Sequence, residues 1–144
     1  MLSGSLSLSA MRQCYAAALG WKTRDQMNGR YTSIAGPNGT ARTVRLLIDT
    51  GATALVLPAS MISELGFAPE DLHAGIGRGV GGQVPTLVGM LRVVSVGAAS
   101  ADNIRVNFVP DENLRGTKLL GMSFLRHFRM TIDDQRNELV LLAK

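Results

Sequence analysis

The residues best suited to chemistry in this 144-residue chain are Asp49-Thr50-Gly51-Ala52, which follow directly on Leu46-Leu47-Ile48 and shortly precede Ala54-Leu55-Val56-Leu57. A carboxylate delivered at the end of an apolar strand sits where water is scarce, and a buried Asp is rarely kept without partners or a task. The task open to it is proton transfer to or from water or a substrate. Taken alone, an Asp-Thr-Gly after a strand also describes an ordinary turn.

Other candidates carry less. Gly77-Arg78-Gly79-Val80-Gly81-Gly82 matches the GxGxxG pattern, but a nucleotide site needs a helix after it. Here Gln83-Val84-Pro85 and a β-branched stretch follow, so a flexible, glycine-rich loop is the simpler reading. Gly121-Met122-Ser123-Phe124-Leu125 lacks the second Gly of a nucleophile elbow, and Ser123 is expected to be a helix cap or a surface hydroxyl. Asp133-Asp134 suits a solvated hairpin turn. His73 and His127 stand far apart without cysteine company, so each is expected on or near the surface and no metal site is supported.

These residues must be positioned by strands. Residues 30–34 and 40–48 flank Gly36-Pro37-Asn38-Gly39, where Asn-Gly signals a tight turn, so a hairpin is expected. Residues 54–57 make a further buried strand stopped by Pro58. Met61, Ile62 and Leu65 recur at helical spacing before Gly66, which predicts one short helix capped by glycine. Residues 84–96 predict one long strand or two bent ones, with Pro85 at an edge or bulge. Ile104, Val106 and Phe108 alternate with Arg105 and Asn107 in the period of a half-buried strand. After Leu119-Leu120-Gly121 a helical turn is expected over 122–128, and a closing hairpin places 130–132 against 139–142. Residues 1–27 show no sustained period apart from a possible short helix over 11–19, and form an extension or linker ahead of a single domain over 28–144.

Composition supports this frame. With 46% hydrophobic residues the chain can bury one core, and 16 glycines with only 5% aromatic residues favour a turn-rich β protein. Fifteen Lys+Arg against eleven Asp+Glu give a net charge of +4. These charges are scattered, which argues against a nucleic-acid partner. No stretch approaches the roughly 20 apolar residues of a membrane helix, so the chain as it stands is expected to be soluble. A lone cysteine, Cys14, leaves the redox compartment open.

The segment from Leu46 to Pro58 resembles the active-site segment of retropepsin-like (retroviral-type) aspartic proteases, which carry one such motif per chain. Two further segments agree in order and spacing. Gly79-Val80-Gly81-Gly82 resembles the flap tip of that family, with Gly89 and Leu91 following as in its descending flap strand. Leu119-Leu120-Gly121 resembles the hydrophobic-hydrophobic-Gly segment of the second half of the fold, in the form seen in bacterial members. The likeness covers residues from about 30 to 142.

The resemblance implies a mostly β, closed-barrel acid-protease fold with one or two short helices, assembled as a homodimer. It implies an aspartic endopeptidase acting on peptide or protein substrates without a cofactor. Amide hydrolysis by this route needs one carboxylate to activate water and a second, protonated one to serve the scissile carbonyl. With one motif per chain, the second carboxylate is Asp49 of another copy across a two-fold axis. Two acids so close share a proton and titrate as a pair, a rule for which the aspartic-protease dyad is the standard illustration. By the same resemblance Thr50 interlocks with its mate, Gly51 allows close backbone approach and Ala52 lines the cleft. Gly79, Val80, Gly81 and Gly82 form the flap over the substrate. Bacterial relatives often carry a membrane anchor and face the periplasm, but nothing in residues 1–27 resembles one, so the compartment is open. A retropepsin-fold dimer serving only as a peptide-binding or scaffolding module is the alternative, since a fold does not guarantee chemistry.

Overall fold

The computed structural model describes residues 3–5, 32–79, 82–96, 99–133 and 138–143. In chain order its strands are β1 (Ser3–Ser5), β2 (Thr32–Ala35), β3 (Ala41–Val44), β4 (Leu47–Ile48), β5 (Leu55–Pro58), β6 (His73–Gly79) and β7 (Gly82–Val96). They continue with β8 (Ala99–Val109), β9 (Leu119–Leu120), β10 (Phe128–Asp133) and β11 (Glu138–Ala143). Among the described residues three one-turn helices, α1 (Met61–Glu64), α2 (Asp111–Leu114) and α3 (Met122–Leu125), and a 3-10 turn at Pro69–Asp71 fill the connections. The mostly β architecture expected from glycine content and strand alternation is present.

Two sheets form. The larger runs in the order β3-β2-β7-β8-β5-β9-β4, with β6 added on β7, and the smaller in the order β1-β11-β10. β7 and β8 form the spine, pairing antiparallel from Leu87↔Phe108 to Val96↔Ala99. The alternation of β8 does what its period predicts: Ile104, Val106 and Phe108 are essentially inaccessible. They meet Ile34, Leu55, Leu57, Leu65 and Leu91 in one core, where Phe67 packs edge-on against Phe108 with ring centroids 5.1 Å apart. Each such buried side chain contributes about 1.5–3 kcal/mol of apolar transfer.

The expected β2–β3 hairpin forms, but its turn is wider than an Asn-Gly pair requires. Ala35 pairs with Ala41, and the Gly36 N–H donates to the Thr40 carbonyl at 2.9 Å. Of the turn's residues Gly39 alone has positive φ, at 89°. Asn38 uses its side chain instead, Oδ1 accepting from the Thr40 N–H at 2.9 Å, the local bond that makes Asn a turn residue.

A second difference concerns residues 40–48, expected as one strand. β3 ends at Val44, and β4 leaves the hairpin to pair in parallel with β9, Leu47↔Leu119 and Ile48↔Leu120. The split follows from burial: Leu46 and Ile48 are both 3% exposed, and they reach the core only by turning away from β2. Residues 84–96 belong to one 15-residue strand, and Pro85 stands where β7 pairs with β6 alone, Ile76↔Pro85, so its missing N–H costs no central ladder bond. The expected helix over 122–128 is a single turn, because Phe128 already opens β10. Strand β6 and helix α2 carry no period long enough to read. The possible helix over 11–19 lies outside the described residues. Within the expected extension, Ser3–Ser5 pairs with β11, Ser3↔Leu142 to Ser5↔Val140.

Candidate active site

Asp49 follows β4, and its place is fixed by the backbone of the second half of the chain. Its N–H donates to the Leu120 carbonyl at 3.0 Å, and its carbonyl accepts from the Ala52 N–H at 3.1 Å. The carboxylate Oδ1 accepts from the Gly51 N–H at 2.8 Å, a turn bond that holds the side chain in one direction. Strand β9 is wedged between β4 and β5, pairing Leu47↔Leu119 on one side and Val56↔Leu119 on the other. The sequence motif around residue 49 and the Leu-Leu-Gly segment some 70 residues later are therefore one structural unit.

Gly121 closes that unit. A Cβ there would run into the Ala54 carbonyl and lie 2.7 Å from the Ala52 carbonyl oxygen. The second of these is itself engaged, accepting the Met122 N–H at 2.8 Å. Only glycine admits so close a backbone approach.

Ser123 departs from expectation. It is 2% exposed, so it is no surface hydroxyl, and α3 has no side-chain cap. Its Oγ accepts from the Leu55 N–H at 3.0 Å and donates to the Arg105 carbonyl at 2.8 Å, tying β5 to β8 beneath the Asp49 turn. Removing it strands a buried donor and a buried acceptor. Ser123→Ala is therefore expected to cost about 1–3 kcal/mol, read as a lowered urea midpoint at unchanged slope.

An open cleft of about 1390 Å³ lies in front of Asp49. Gly51, Ala52 and Leu119 line it, as do Ile76, Gly77 and Arg78 of β6 and Gln83 and Val84 of β7. The β6–β7 hairpin thus borders the same cleft as the carboxylate. Gly79 pairs with Gly82 at the far end of that hairpin, while Val80 and Gly81 lie outside the described residues. Thr50 is exposed and does not line the cleft, whereas Leu120 is buried behind it.

Residues not singled out from the sequence also face the cleft, notably Ile76, Arg105, Asn107 and Arg115. Arg105 and Asn107 were legible as the polar side of β8 but not as a cleft wall, because alternation tells which face is polar and not what stands opposite it. Ile76 is 70% exposed, an apolar side chain presented to whatever fills the cleft. His73 and His127 are exposed, and no group of three or more His, Cys, Asp or Glu among the described residues could hold a metal ion. No described helix is long and apolar enough to cross a membrane.

The far wall depends on α2. Asp111 Oδ1 accepts the Ser60 N–H at 3.0 Å, and the Ser60 hydroxyl and then its N–H hold the Asp111 carboxyl below its ordinary value. A lowered folded value means that the bond's contribution is present above the ordinary aspartate range and is lost as pH falls through the lowered value. The wall is therefore expected to stay anchored at mildly acidic pH. In an NMR titration the Ser60 amide should shift only below the ordinary aspartate range.

A short buried strand, an acidic turn locked to a later Leu-Leu-Gly segment and a long hairpin bordering the same cleft together describe a retropepsin-like fold. Among solved structures the chain is similar to a retropepsin-like aspartic protease from Rickettsia conorii, at 26% identity and a TM-score of 0.54, over 84% of this chain and 93% of that one. It is also similar to the EIAV protease complexed with the inhibitor HBY-793, at 24% identity and a TM-score of 0.46, over 69% of this chain and 88% of that one. Comparison with curated proteins found no match. The sequence model of the aspartyl protease family matches residues 33–124, well over half of the chain. The chain belongs to the aspartyl protease family.

Proposed function

We propose that this protein is an aspartic endopeptidase in which Asp49 of two copies forms the catalytic dyad. The observation that carries the proposal is the position of Asp49: a carboxylate held by Gly51, backed by β9 and Gly121, and open to a cleft that a glycine-rich hairpin also lines. One Asp49 takes a proton from water as the water oxygen attacks the scissile carbonyl carbon. Its protonated mate donates to the carbonyl oxygen. Return of a proton to the amide nitrogen then releases the amine as the C–N bond breaks. No metal or cofactor enters this sequence.

The remaining residues take supporting roles. Exposed Thr50 is available to meet its mate across the two-fold axis, Gly51 orients the carboxylate and Ala52 lines the cleft. The β6–β7 hairpin serves as the flap, to which the sequence contributes Gly79, Val80, Gly81 and Gly82, and its glycines permit opening and closing. Leu119, Leu120 and Gly121 set the position of Asp49. Residues 28–144 form the protease domain.

The test is cleavage of an unbiased peptide mixture, read by mass spectrometry at mildly acidic pH. A single chain holds half a site, so specific activity is expected to rise with protein concentration until the dimer saturates, in step with the dimer fraction from sedimentation. Constant specific activity from a proven monomer would remove the shared dyad. Silence from a proven dimer would leave a peptide-binding module.

A further inference from the structure

We propose that the cleft selects acidic peptide segments, with Asp or Glu flanking the bond that Asp49 addresses; this rests on the proposal that the cleft receives peptides. Arg78, Arg105 and Arg115 reach the cleft from three separate elements: β6, β8 and the end of α2. All three are exposed, and none is held by a carboxylate of the described residues. Apart from Asp49 itself, Glu112 is the carboxylate lining the same wall. The guanidinium groups therefore outnumber the carboxylates around the bound segment, and a two-fold repeat doubles that excess. A guanidinium offers a rigid fork of donors matched to a carboxylate. As a peptide displaces water from the cleft, such pairs strengthen relative to their value in bulk solvent.

Arg115 adds an independent observation. It occupies the left-handed region, with φ 49° and ψ 43°, and Gly116 follows at φ 82°. Glycine or asparagine is the usual occupant of such a position at a helix end, and non-glycine residues held there cluster at functional sites. Here the left-handed turn at the end of α2 carries the guanidinium to the cleft wall.

The proposal is tested by binding, so that it does not depend on hydrolysis. A peptide found cleaved in the mixture, or a neutral decapeptide if none is, is prepared with its flanking positions as Glu, Gln or Lys and labelled with fluorescein. Binding to the Asp49→Asn protein is followed by anisotropy at low and high salt. The Glu peptide is expected to bind about 10-fold more tightly than the Lys peptide at low salt, with the difference shrinking as salt screens it. Arg78→Glu with Arg115→Glu should reverse the order. Arg42→Glu with Arg92→Glu, the same change in net charge away from the cleft, should keep it. Arg115→Gly, which suits the left-handed backbone, should weaken the discrimination without lowering the melting temperature. Equal binding of the three peptides overturns the proposal, and so does equal loss of preference in the two double variants, which would trace it to net charge alone. Charge-selective binding without cleavage by the wild type would overturn the hydrolytic proposal and leave this one standing; cleavage without charge selection would do the opposite.

Discussion

Asp49→Asn is expected to lower peptide cleavage by about 10³-fold or more while changing stability by less than about 1 kcal/mol. The asymmetry follows from the geometry. Asn retains an Oδ1 that can accept the Gly51 N–H, now made to Asp49 at 2.8 Å, and the backbone bond to Leu120 does not involve the side chain. The turn therefore keeps its shape. A carboxamide, however, can neither take a proton from water nor hold one for a carbonyl oxygen at mildly acidic pH. The measurement pairs a digest of an unbiased peptide mixture with thermal unfolding of both proteins. Full cleavage by the Asn variant would remove Asp49 from the chemistry, whatever the fold.

Gly121→Ala is expected to fail in a different way, losing about 3 kcal/mol of stability together with activity. The added methyl meets the carbonyls of Ala54 and Ala52, which are backbone atoms and cannot swing aside as a flexible side chain could. Relief would require β9 and the start of α3 to move outward. That movement stretches the Met122–Ala52 and Asp49–Leu120 bonds, of 2.8 and 3.0 Å, which hold the acidic turn in place. Urea unfolding should show the loss, and any folded remainder should cleave poorly because its Asp49 is displaced. A variant with wild-type midpoint and activity would show that the close approach at Gly121 is dispensable. Together the two substitutions separate the group proposed to perform the chemistry from the residue that positions it.

Much of the candidate site was legible in the primary structure because its parts are local. The Asp49 turn lies between two apolar runs, and the alternation over residues 104–108 follows from a strand that buries one face. The closing hairpin over 130–142 likewise appears as β10 and β11, with residues 134–137 between them outside the described residues. What escaped depends on distant partners. The break between β3 and β4 has no local signal, since β4 exists only by pairing with β9, some 70 residues later. Ser123 looks like a cap because it opens a helical turn, but its buried neighbours come from β5 and β8. Strand β6 is glycine-rich and weakly patterned, and it is held by its register on β7.

The chain's own order of residues thus determined the acidic turn, the strands that carry a clear alternation or apolar run, and the glycines where backbone must pass close to backbone. These are properties of single residues and short periods. Tertiary structure alone decided that the Leu-Leu-Gly segment wedges beside the Asp49 turn, that Ser123 ties two strands beneath it, and that three arginines from separate elements border one cleft. Such juxtapositions are settled by which buried surfaces find each other when the sheet folds around its core, and no local pattern encodes them.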